Sequence, residues 1–172
     1  TGPATDAMAR PEPTVNLIAI EVYRPGLAQL LQQVEREEIP NVRVLRGDAM
    51  DVLENMVAPE SLTGVRVFFP DPWPKKAHWK HRFVIAARLK RIAPALKKGG
   101  LFEIKTDHRG YFDWMEEELA KVPDTWRVLE RSTDLHATVA DPLKLEIPDV
   151  TLFEKLFIRD KIKINRLLLE RL

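Results

Sequence analysis

The residues most able to do chemistry lie in one run, Phe68-Phe69-Pro70-Asp71-Pro72-Trp73-Pro74-Lys75-Lys76-Ala77-His78. Pro70 and Pro72 flank Asp71, and two fixed φ angles hold a carboxylate in place. Trp73 offers a flat face on which a base can stack. Lys75 and Lys76 can meet phosphate oxygens. His78, Lys80, His81, Arg82, Arg88, Lys90 and Arg91 extend a basic strip, with Trp79 set into it. Cations interleaved with aromatics are a nucleic-acid footprint. For the part from Arg88 to Arg91 a solvated helix face is the better account.

Three other acids follow short apolar runs. Glu21 comes after Val15–Ile20, Asp48 after Val42–Leu45 and Gly47, and Asp107 after Leu101–Lys105 and Thr106. In open α/β sheets, ligands bind beyond the carboxyl ends of the strands. A carboxylate accepts from two ribose hydroxyls at once, which suits Glu21. Asp48 could accept an exocyclic amine of a base, cap the helix it precedes, or do both. Thr106 and Asp107 could hold a substrate group or cap the next helix. Four like charges along one edge are costly unless a ligand or cation needs them.

These residues need strands to present them, and the pattern supplies strands alternating with helices. Strands are expected at Val15–Ile20, Val42–Leu45, Val65–Phe69, Leu101–Lys105 and Trp126–Glu130. Helices are expected at Pro25–Glu37, with Leu27, Leu30, Leu31 and Val34 at helical spacing, and at Asp51–Met56, His81–Leu96 and Tyr111–Lys121. Gly99-Gly100 reads as a turn and Thr133–Val150 as irregular. Thr151 and Glu154 fit a capping box opening a helix to about Asp160. Ile162–Arg171 is a final strand or a continued helix. Phe83, Phe112, Trp114 and Leu119 read as core. The fold class is α/β, a doubly wound, mostly parallel Rossmann-like sheet with helices on both faces, in one domain over residues 1–172. A short helical stretch, Ala4–Ala9, follows Thr1-Gly2 directly, so the fold is expected to be one strand short at its start.

The 172 residues suffice for one core, with 45% hydrophobic and 31% charged residues and a net charge of +1. No whole-molecule field attracts nucleic acid, so attraction must come from local clusters. With no cysteine, disulfide scaffolds and thiolate zinc sites are excluded. The four histidines lack metal-ligand spacing, and no serine-nucleophile elbow is present. No apolar run has membrane-spanning length. A cytoplasmic monomer or homodimer without metal or membrane is expected.

The run Phe68–Arg82, with Ile20-Glu21-Val22, Pro25-Gly26, Gly47-Asp48-Ala49, Gly99-Gly100, Lys105-Thr106-Asp107 and Thr151-Leu152-Phe153-Glu154, resembles the bacterial tRNA (guanine-N7)-methyltransferases. The resemblance implies a class I methyltransferase that transfers the methyl group of S-adenosylmethionine to a guanine N7 in the variable region of tRNA. It implies cofactor contacts from Gly2, Glu21, Asp48, Ala49 and Asp71. Substrate contacts would come from Lys75, His78, Arg82, Asp107, Thr151 and Glu154, and Asp71 would be the catalytic residue. Two arginines usually close the signature; here the first is His81. A small-molecule methyltransferase, a tRNA-binding module without activity, and a nicotinamide dehydrogenase are the rival readings.

Overall fold

The computed structural model describes residues 14–137 and 152–172, within which the chain forms two compact units. Of the described residues, one unit comprises 14–52 and 152–161, the other 53–137 and 162–172. The expected stretch Ala4–Ala9, and Gly2 and Thr151 with it, lie outside the described residues.

The first unit holds β1 (Leu17–Glu21), α1 (Arg24–Arg36) and β2 (Val42–Arg46). β1 and β2 pair in parallel, with Leu17 opposite Val42 and Glu21 opposite Arg46. Pro25 sits in the first turn of α1, where its missing N–H costs nothing. Ile39 and Val42 form a small core against Leu17, Val34 and Val44. Leu30 is also buried, whereas Leu31, placed by spacing on the same stripe, stays half exposed. Asn41 ties the start of the pair down, donating from Nδ2 to the Val15 carbonyl at 2.8 Å. α2 (Ala49–Asn55) follows and runs across the boundary between the units in the chain. In the same unit as β1 and β2 lies α5 (Leu152–Arg159), beginning where the capping-box pattern places a helix.

The second unit carries a four-stranded sheet of β3 (Leu62–Phe68), β4 (Leu96–Thr106), β5 (Trp126–Ser132) and β6 (Asn165–Arg171), in the order β3-β4-β6-β5. β3 and β4 are parallel; β6 lies antiparallel between β4 and β5. The run Leu167-Leu168-Leu169 is therefore strand. Leu167 and Leu169 are fully buried while Leu168 is half-buried, the alternation a sheet requires. β4 is buried at every position from Phe102 to Thr106, on both faces. Buried Glu103 is charge-matched by Arg66 at 3.4 Å and Arg166 at 2.7 Å. α3 (Ala86–Ile92) and α4 (Arg109–Leu119) contribute Leu89, Ile92, Tyr111, Phe112 and Met115 to the core.

Two expectations are corrected. The helix expected over His81–Leu96 is broken into pieces: a 3₁₀ turn at Lys76–His81, a non-helical stretch to Ile85, α3, a second 3₁₀ turn at Ala93–Ala95, and then strand from Leu96. The cause is tertiary. The Val84 amide donates to the Tyr111 hydroxyl at 3.0 Å, and the Ala86 amide to Glu118 Oε2 at 2.7 Å, so helix can begin only at Ala86. Gly99-Gly100 is not a turn between elements but an excursion inside β4. Leu62 faces Leu96 while Gly64 already faces Leu101, so the intervening residues bulge out. Gly99 takes φ +76°, and a Cβ on Gly100 would come within 2.7 Å of the Lys97 carbonyl oxygen.

Candidate active site

β3 ends at Phe68, and its register partner at the same edge is Lys105 of β4. Phe69 then turns out of the sheet with φ +52°, its amide still donating to the Lys105 carbonyl at 2.8 Å. Trp73 also has a positive φ, +43°. Left-handed backbone at two bulky aromatic residues costs of order 1–3 kcal/mol each and persists only where the surroundings enforce it. Between these two points lies Asp71, exposed. Trp73 is half-buried, with His81 tilted across it at 5.2 Å and His78 meeting it edge-on at 5.7 Å. Lys75, Lys76, His78, Lys80 and His81 are exposed around this aromatic centre. The acid, the aromatic and the cations named from the sequence therefore occupy one loop and its 3₁₀ turn.

Arg82 does not join them at the surface. It is 2% exposed. Its guanidinium lies over Trp79 at 4.6 Å, Tyr111 at 5.0 Å and Trp114 at 5.0 Å. Burial lowers its pKa from the ordinary value, and the Tyr111 oxygen partly offsets this. Nε donates to the Pro72 carbonyl at 2.8 Å, and Nη2 reaches the Trp73 carbonyl at 3.5 Å. A surface contact with nucleic acid is thus not available to Arg82 in this conformation. Arg88 is likewise no solvated charge: Nη1 donates to the Arg82 carbonyl at 2.8 Å and the His81 carbonyl at 3.3 Å. Arg91 is paired with Glu54.

Thr106 and Asp107 end β4, the parallel neighbour of β3. Thr106 is buried, its hydroxyl accepting from the His108 amide at 3.2 Å. The cap of α4 is His108, whose Nδ1 accepts from the Tyr111 amide at 3.0 Å. Asp107 is exposed and has no partner among the described residues. In the second unit, then, Asp71 and Asp107 follow the ends of adjacent parallel strands.

The first unit repeats that arrangement. Glu21 closes β1, and Asp48 lies two residues past the end of β2. Glu21 Oε1 accepts from the Tyr23 amide at 2.9 Å. Asp48 Oδ1 accepts from the amides of Met50 at 2.9 Å and Asp51 at 3.3 Å, so the cap reading of Asp48 holds. The second oxygen of each carboxylate has no partner among the described residues. Two acceptor oxygens at neighbouring strand ends suit hydroxyls and an exocyclic amine, the donors a nucleoside presents. Ala49, the first residue of α2, is half-buried beside them in the chain. Glu154, on α5, is fully buried.

Tyr111 and Arg88 were not evident as site residues from the sequence. An aromatic at Trp79, three residues before Arg82, followed by apolar Phe83-Val84-Ile85, is the one local sign that this arginine turns inward. Among the described residues no group of three or more His, Asp or Glu could hold a metal, and no helix is long and apolar enough to cross a membrane.

Comparison with known proteins bears on these features. Residues 1–167 match the family described as "Putative methyltransferase". A tRNA (guanine-N(7)-)-methyltransferase of Rhodococcus jostii is 66% identical over 106 residues, covering 62% of this chain and 41% of that protein. Its counterpart in Nocardia farcinica is 53% identical over 150 residues, covering 86% of this chain and 55% of that protein. The chain thus spans about half the length of the curated relatives it matches. A methyltransferase from Pyrococcus furiosus superposes with a TM-score of 0.59 at 15% identity, over 95% of this chain and 66% of its own, which supports the α/β methyltransferase fold.

Proposed function

The chain belongs to the methyltransferase family of the tRNA (guanine-N7)-methyltransferases, and on that premise we propose that it transfers a methyl group from S-adenosylmethionine to N7 of a guanine in the variable region of tRNA. The observation that carries the reading is the Asp71 loop: an exposed acid held between two left-handed aromatic residues, ringed by exposed lysines and histidines.

Bound S-adenosylmethionine supplies an already activated methyl group. Glu21 and Asp48 have acceptor oxygens suited to its ribose and adenine, with Gly2 and Ala49 as further cofactor contacts implied by the resemblance. Guanine N7 carries an in-plane lone pair exposed in the major groove. It attacks without first losing a proton, so no general base is required. This chain's task is to hold the base in line, and positioning supplies most of the rate gain. Asp71 accepts hydrogen bonds from the guanine N1 and N2 edge, which adenine cannot offer, and its charge stabilises the cation that methylation creates. Lys75 and His78, with Lys76 and Lys80, meet the tRNA backbone. Asp107 and Thr151 stand as further substrate contacts implied by the resemblance, whereas Glu154, fully buried like Arg82, does not offer a surface contact in this conformation.

Replacing Asp71 by alanine in the full-length protein tests this. Initial rates of radiolabelled methyl transfer to tRNA should fall by about 10²–10³, the usual effect of removing one transition-state contact. Circular dichroism should be unchanged, because Asp71 is exposed and packs no core. Full activity in the variant, or transfer to small acceptors but not to tRNA, would overturn the reading.

A further inference from the structure

The Asp71 loop is left-handed at both ends, at Phe69 and Trp73, and hydrogen bonds from outside the loop reach both ends. Asp71 itself has no hydrogen-bond partner among the described residues. The prolines fix their own φ but supply no donor. The hydrogen bonds that fasten its two ends come from outside it. Lys105 accepts the Phe69 amide, and the Arg82 guanidinium donates to the carbonyls of Pro72 and Trp73.

Arg82 is unusually committed to that duty. No carboxylate pairs with it among the described residues, and its Nη1 finds no acceptor. The Nε1 groups of Trp79 and Trp114 in the same cage are also unpaired. The charge is balanced by three aromatic faces and the loop carbonyls. Cation–π contacts of this kind gain strength when desolvated, and they impose little direction. The two carbonyl bonds do impose direction, and both fall on residues following Asp71. Arg82 is in turn fixed by Arg88, which donates to the carbonyls of His81 and Arg82 from the first turn of α3.

We propose that Arg82, steadied by Arg88, is the positioning residue of the active site: a buried guanidinium that sets the main-chain path through Pro72 and Trp73, and through it the place of the Asp71 carboxylate. The role rests on the methyl-transfer reading of Asp71 but is separate from tRNA contact. Lysine at position 82 keeps the charge and can still lie against the aromatic faces. It has no planar fork to reach two carbonyls at once.

The test is Arg82→Lys in the full-length protein. Turnover on tRNA should fall by about 30–100-fold, the cost of a misplacement of about an ångström at a reacting centre. KM for tRNA and for S-adenosylmethionine should stay within about threefold, and the salt dependence of tRNA binding should not change, because no phosphate contact is lost. Hydrogen–deuterium exchange should rise in residues 70–76 and stay level in α4 and β4. Arg88→Lys, a milder change, should move the same readouts in the same direction by less. An undiminished turnover, a shallower salt slope, or unchanged exchange in residues 70–76 would each overturn the proposal. Because exchange is read without turnover, it still decides the question if the wild-type protein transfers no methyl group to tRNA, an outcome that would sink the functional reading alone.

Discussion

Tyr111 is fully buried, and its hydroxyl oxygen accepts the Val84 amide while its ring forms one wall of the cage around Arg82. Burial pushes its pKa above the ordinary tyrosine value, with the amides of Val84 and Phe83 and the charge of Arg82 opposing that rise. The folded protein holds the phenolic proton more tightly than the unfolded chain, so this contribution is intact below about pH 10 and is lost as pH climbs through the folded value. Thermal melting followed from pH 8 to 11 should show a decline beginning near pH 10. Tyr111→Phe should remove the part of that decline due to this group. It should also cost about 1–3 kcal/mol at neutral pH, because the Val84 amide loses a buried acceptor. Melting temperatures of the two proteins that run parallel through pH 10 would refute the assignment.

At the scale of elements, β4 carries the sharpest constraint. Its excursion between Leu96 and Leu101 brings Gly100 so close to the Lys97 carbonyl that a methyl group must move backbone. Gly99 has room for one, but φ +76° makes any side chain strained. Gly100→Ala should therefore cost more than Gly99→Ala in urea titration, about 1–3 kcal/mol against about 1 kcal/mol. The reverse order would show that the excursion is not as tight as it stands. A turn was legible here from the glycine pair, but not its place inside a strand, because the pairing with β3 is a long-range fact. The same limit governs β6. Leu167-Leu168-Leu169 is compatible with helix or strand until its position between β4 and β5 makes every second residue core. The amphipathic helix α1 was readable throughout because periodicity alone specifies it. The residues from Arg82 to Ile85 carry a helical pattern but are not helix, because Tyr111 claims the Val84 amide and Glu118 takes the amide of Ala86, where the helix then begins. The Asp71 loop itself was legible, since proline, acid and aromatic are local signals. Its fastening by Arg82 was not, for one cation in a basic strip looks like another.

Across these 172 residues, a net charge of +1 sets up no strong field that draws a polyanion in. The attraction expected is local, from the cluster of exposed cations at residues 75–81 beside the Asp71 loop. Plotted as log affinity against log salt concentration, tRNA binding should give a slope of about −2 to −4, the range for three or four neutralised phosphates. A slope near −10 would require a far larger basic surface than these residues provide. Charge-reversing Lys75 and Lys76 together should flatten the line by about 2.

The place of β6 has a consequence for how the protein is made. Among the described residues Trp126–Ser132 pairs with no strand but β6, and β6 begins only at Asn165. At a synthesis rate of about 5–20 residues per second, roughly two to seven seconds separate the two strands. Through that interval β5 has no partner, and β4 presents its open edge with Phe102 and Ile104 not yet covered from that side. The nascent chain is thus exposed to wrong pairing for seconds, and it is released from that hazard only when β6 emerges.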